Sequence, residues 1–136
     1  MNFLIRSAKS FSAHPFNVIL VGRATYVSTL DGLTRIGDDH DRDNQAIFRA
    51  IQAKSSALIW LVGTSMGTIS VTAAAIRNSA SNIAGIVLTS SVTSYRIQGA
   101  VASQDLPNIK APVLLATHVR PCTIKASLAW NEMQWI

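Results

Sequence analysis

A single cysteine, Cys122, excludes an internal disulfide and any zinc site built on paired thiolates, and it suits a reducing, cytoplasmic compartment. Long apolar runs are missing too: the longest clean one, Ala57 to Val62, falls far short of the roughly 20 residues that cross a bilayer. Charge is scarce. Only 14% of the residues are Asp, Glu, Lys or Arg while 49% are apolar, so 136 residues can bury one core but not two. The 12 basic residues outnumber the 7 acidic ones for a net charge of +5, yet they stand singly rather than in a stripe, which argues against a nucleic-acid partner.

Acids are absent before Asp31, and five of the seven (Asp31, Asp38, Asp39, Asp41 and Asp43) share one short stretch. The acid-free opening, with Arg6, Ser7, Lys9, Ser10 and Ser12, has the composition of a transit peptide, but Phe3, Leu4, Ala8 and Phe11 follow helical spacing and predict an ordinary packed helix that Pro15 ends. Phe16 to Val21 is a β-branched and apolar run closed by Gly22, which predicts a buried strand. Arg23 to Gly37 has no period and reads as a loop. Asp38 is the expected N-cap of a helix carrying Ile47, Ala50 and Ile51, with further acids near the positive end of its dipole. Capping and solvation account for the acid cluster without a metal.

Ala57 to Val62 is continuously apolar, as in a parallel strand covered on both faces, and Gly63 to Gly67 turns directly into a helix over Thr68 to Arg77. Asn82 to Leu88 and Pro112 to Thr117 repeat the short strand pattern, with a helix expected around Ser94 to Ala102 between them. Strand and helix alternate, so the class is α/β, with a mainly parallel sheet of about four strands flanked by helices. One domain occupies residues 1–120, and 121–136 is a tail without a recognisable strand pattern.

Gly63-Thr64-Ser65-Met66-Gly67 reads G-x-S-x-G between a buried strand and an Ala-rich helix. A sharp turn there puts Ser65 on strained backbone above the sheet, and the two glycines let strand and helix approach without a Cβ clash. The Met66 backbone N–H, at the helix start, is placed to donate to an oxyanion. The competing reading is a plain Gly/Ser turn without chemistry.

On these residues the chain resembles the α/β-hydrolase family, from about Asn2 to His118 and incomplete at both ends. Leu61-Val62-Gly63-Thr64-Ser65-Met66-Gly67-Thr68 is the most specific part, and Gly85-Ile86-Val87-Leu88-Thr89-Ser90-Ser91 looks like the family's next strand and its exit. The resemblance implies a Ser-His-Asp/Glu hydrolase that opens an ester, thioester or amide of a small acyl substrate through an acyl-enzyme, with no cofactor or metal.

Departures from the family are equally specific. The loop that usually gives the second oxyanion donor is missing, as is the strand expected between Phe16–Val21 and Ala57–Val62. Those two segments must pair directly or leave edges open, which invites a homo-oligomer. His118-Val119-Arg120-Pro121-Cys122 stands where several bacterial relatives read His-x-x-Asp-x-Cys, so the acid is lost. Ser90, Ser91 and Thr93 offer no carboxylate, Asp105 falls near the opposite edge of the sheet, and Glu132 is the only acid after His118. His118 ends its strand on the elbow's edge, about 10 Å from Ser65 across two strand spacings, and is the candidate base; substrate lining is its other reading. His14 lies at the wrong edge, His40 on the right edge but the far side of the sheet, and Cys122 has no partner at a recognised spacing. The expectation is a serine hydrolase of weak or no activity; the alternative is a non-catalytic α/β interaction module.

Overall fold

The computed structural model describes residues 3–78 and 83–117. Three strands, β1 (Ile59–Thr64), β2 (Ile83–Thr89) and β3 (Val113–Ala116), form one parallel sheet in the order β1-β2-β3. Helix α4 (Gly67–Arg77) makes the crossover from β1 to β2. Helices α1 (Phe3–Ser12), α2 (Gly32–Ile36) and α3 (Asp38–Gln52) precede the sheet. The α/β class and the parallel sheet agree with the sequence pattern.

The core lies between α4 and one face of the sheet. Ala75 of α4 meets Ile86 and Leu88 of β2 together with Val101, and Ala74 meets Ile59 of β1 and Phe48 of α3. The run of alanines in α4 is what lets helix and sheet close on each other, since each carries little volume into the contact. Alternation along β1 puts Ile59 inward while Trp60 and Val62 stand 52% and 41% exposed on the other side.

Several expectations need correction. Phe16 to Val21 is not a strand: it has no regular structure, and every residue in it is exposed. Strand propensity expresses fit to a pleated neighbour, and although β1 has an open edge among the described residues, this run forms no ladder on it. The described sheet therefore has three strands rather than about four, and β1 keeps an edge that no described strand pairs. Helix α1 forms as expected, but its apolar stripe is not packed away, and Phe3 and Phe11 remain exposed.

Within the expected loop from Arg23 to Gly37, Asp31 caps α2 by accepting from the Thr34 N–H at 2.8 Å. Gly37 then ends α2 and precedes α3, so Asp38 is the first helical residue rather than the cap. Its carboxylate instead accepts from Arg77 at the end of α4, at 2.7 Å, and Asp41 accepts from Asn78 at 2.9 Å. Part of the acid cluster thus pins α3 to the far end of α4. The helix expected around Ser94 to Ala102 reduces to turns and a short 3-10 turn at Val101–Ser103.

Candidate functional site

Ser65 follows the last residue of β1 at φ 51°, in the left-handed region that a residue with a Cβ seldom occupies. Three bonds hold it there. The Ser65 N–H donates to the carbonyl of Thr89, the last residue of β2, at 3.1 Å, extending the ladder one residue beyond the end of β1. Its own carbonyl accepts from the Thr68 N–H at 2.9 Å and from the Thr68 hydroxyl at 2.7 Å, which starts α4. The backbone therefore reverses from strand to helix at one residue, and the side chain is left exposed.

The close approach on the strand side needs glycine. A Cβ on Gly63 would lie 2.7 Å from the Gly67 carbonyl oxygen and 2.8 Å from its carbon, a backbone collision that no rotamer relieves. At Gly67 a Cβ would meet nothing within 4 Å. Only the first of the two glycines is required by space. A second left-handed serine, Ser90 at φ 48°, ends β2 in the same way, its N–H donating to the Ala116 carbonyl at 3.2 Å.

Ser65 and Met66 line a cleft of about 480 Å³ beside β1, walled by Trp60, Leu61 and Val62, by Leu4 and Ile5 of α1, and by Ile19 to Gly22. The failed strand thus lies against the side of β1 as a wall. Met66 is helical at φ −55° and ψ −25°, and no described residue accepts its N–H, which leaves that donor available at the start of α4. The Ser65 Oγ likewise has no hydrogen-bond partner among the described residues. His118, the candidate base, and Cys122 and Glu132 lie outside the described residues. Asp105 is away from the cleft, accepting from the Asn108 side-chain amide at 2.6 Å and facing a smaller hollow with Arg77.

His40 was expected on the far side of the sheet, and it is not there: it lines the same cleft as Ser65. Helix α3 packs beside α4 with its first turn spanning it: Asp38 and Asp41 reach Arg77 and Asn78 at the end of α4, while His40 reaches Ser70 near its start. The His40 Nε2 is 3.0 Å from the Ser70 Oγ, and Arg35 of α2 donates to the same oxygen at 2.8 Å. The Arg35 Nε also donates to the Leu30 carbonyl at 3.1 Å. Periodicity along α3 marks its apolar face but says nothing about the residues before Asn44, so His40 and Arg35 carried no signal in the sequence.

Burial, and then the nearby Arg35 guanidinium, hold the His40 imidazole below its ordinary value, against the weaker pull of Asp43 and Asp41. The direction of the Nε2–Oγ hydrogen bond follows the tautomer of the ring. The groups facing it are Arg35 on α2, Asp41 and Asp43 on its own helix and Ser70 on α4. Because the unfolded chain binds this proton more readily than the folded one, stability is full above the ordinary imidazole value of about 6.5 and declines as pH falls below it. The urea midpoint of the protein should therefore fall from pH 7 to pH 5, and by less in His40→Gln; equal slopes would sever His40 from that dependence.

No metal cluster of three or more His, Cys, Asp or Glu side chains occurs among the described residues, and no described helix is long and apolar enough to cross a membrane. Comparison with protein-family models, with curated proteins and with solved structures finds no match.

Proposed function

We propose that the chain is a serine hydrolase of α/β-hydrolase type and low turnover, acting on an ester, thioester or amide. One observation carries the reading: a serine in the left-handed region, at the carboxyl end of a parallel strand and the start of a helix, opens into a cleft. In the mechanism, the Ser65 Oγ bonds to the acyl carbon while its proton passes to a base. The Met66 N–H receives the developing oxyanion. The carbon–leaving-group bond then breaks and the leaving group takes the proton. Water repeats the sequence on the acyl-serine and restores the hydroxyl.

Low turnover follows from the same geometry. Among the described residues one oxyanion donor is assigned where a pair is usual, and Ser65 touches no imidazole. A fluorophosphonate probe tests the nucleophile directly, because it needs only an activated hydroxyl and one electrophilic phosphorus. Labelling of folded protein that disappears in Ser65→Ala is the expected result. Labelling that survives the substitution, or folded protein that never labels, removes the hydrolase reading.

The exposed Trp60 and Val62 and the edge of β1 that no described strand pairs favour a second reading, in which this edge pairs with another chain. Applied to the chain itself, it predicts concentration-dependent self-association in size-exclusion chromatography with light scattering. A monomer at every concentration tested would count against it.

A further inference from the structure

We infer that the cleft takes an acyl substrate carrying a carboxylate, which the unused edge of the Arg35 guanidinium binds while Ser65 attacks the ester carbonyl. The inference rests on the proposed role of Ser65 and adds the substrate class.

Arg35 is half-buried in the cleft wall, and no carboxylate is among the described residues that line this cleft. Its Nε and one terminal nitrogen are occupied by neutral acceptors, Leu30 and Ser70, and it makes no ion pair among the described residues. The other terminal nitrogen has no described partner. A half-buried cation whose hydrogen-bond partners are neutral is held at a cost, and a carboxylate arriving from solvent offsets that cost while forming charge-assisted hydrogen bonds. Burial acts on Arg35 in the sense expected, lowering its proton affinity against the pull of Asp31.

The two tethers matter as much as the charge. With Nε fixed on the Leu30 carbonyl and one terminal nitrogen fixed on Ser70, the planar group cannot swing, so its free edge is presented in one orientation. Ser70 stands in the first turn of α4, which begins at Gly67 just after Ser65, so one helical turn, about 5 Å, separates the two positions. That separation suits the half-ester of a short dicarboxylic acid, with its methylenes against the apolar wall of Phe48 and Val71.

The test separates binding from chemistry. Monomethyl glutarate and dimethyl glutarate are titrated into Ser65→Ala protein while the His40 ring resonances are followed by NMR. The half-ester should bind about tenfold more tightly than the uncharged diester, as one charged hydrogen-bonded contact warrants. Adding Arg35→Gln should erase the preference and Arg35→Lys should keep only part of it, since lysine supplies charge without the fork. The comparison on Ser65→Ala alone stands even if an Arg35 variant does not fold. Equal binding of the two esters overturns the inference, and so does a preference that survives in folded Arg35→Gln, which would assign it to the general +5 charge. Methanol release by the unsubstituted chain completes the separation. Preferential binding without release keeps the carboxylate site and removes the role of Ser65. Release from both esters at one rate does the reverse.

Discussion

Ser65→Gly should raise the stability of the protein by about 1 kcal/mol while ending fluorophosphonate labelling, whereas Ser65→Ala should end labelling with no gain in stability. Both substitutions delete the hydroxyl, and neither loses a hydrogen bond among the described residues, because the Oγ makes none. They differ in the backbone. At φ 51° any residue with a Cβ pays for the left-handed conformation, and glycine does not. Glycine also returns some of this gain through the greater freedom of its unfolded chain, which is why the expected figure is modest. Stability is read from the urea midpoint and labelling from the probe. A glycine variant no more stable than the alanine variant would mean that residue 65 is not held in the left-handed region, and the elbow would have to be given up.

The combination is what a functional strain predicts and a plain turn does not. A turn selected for stability would place glycine where φ is positive, as the chain does at Gly99, φ 72°. Keeping serine at such a position forgoes stability for the sake of a group that faces the cleft. Ser90 is a check on that logic from inside the molecule, since it is equally left-handed at the end of the neighbouring strand. It is exposed, but it is not among the residues that line the cleft with Ser65. Left-handed backbone by itself therefore does not single out a nucleophile; strand end, helix start and cleft together do.

How far the sequence reveals this arrangement differs from element to element. The strand-turn-helix over Ile59 to Arg77 is legible because each part is local: an apolar run, glycines, then alanines at helical spacing. The two later strands are legible for the same reason. Phe16 to Val21 misleads because its composition describes a strand while the outcome depends on pairing, and the run forms no ladder with β1. Arg35 and His40 are invisible for a different reason. They reach the cleft only because α2 and α3 meet at Gly37 and α3 is pinned to α4 by Arg77 and Asn78, contacts between residues nearly forty positions apart. Asp38 was legible as a polar residue at a helix start, but its partner on the other helix was not.

The two glycines of the elbow, alike in the motif, should behave oppositely. Gly63→Ala places a methyl group 2.7 Å from the Gly67 carbonyl oxygen, and since both partners are backbone, strand and helix must separate at the bend. Overpacking of this kind costs about 1–3 kcal/mol, and the upper end applies where no side chain can yield. Movement there also displaces the Ser65 carbonyl from the Thr68 N–H and hydroxyl, so the serine is no longer held in its conformation and labelling should fall with stability. Gly67→Ala puts its methyl group into open space within the first turn of α4, where alanine is the better helix former by about 0.5–1 kcal/mol. It should fold at least as stably as the parent and still react with the probe. Thermal melts and probe labelling of the two variants side by side decide the point. If Gly63→Ala melts with the parent and labels normally, strand and helix do not approach as closely as described, and the reason for a sharp bend at Ser65 is lost. If both variants fail alike, Gly67 is also confined by space, and the open side of the cleft next to the serine has been misplaced.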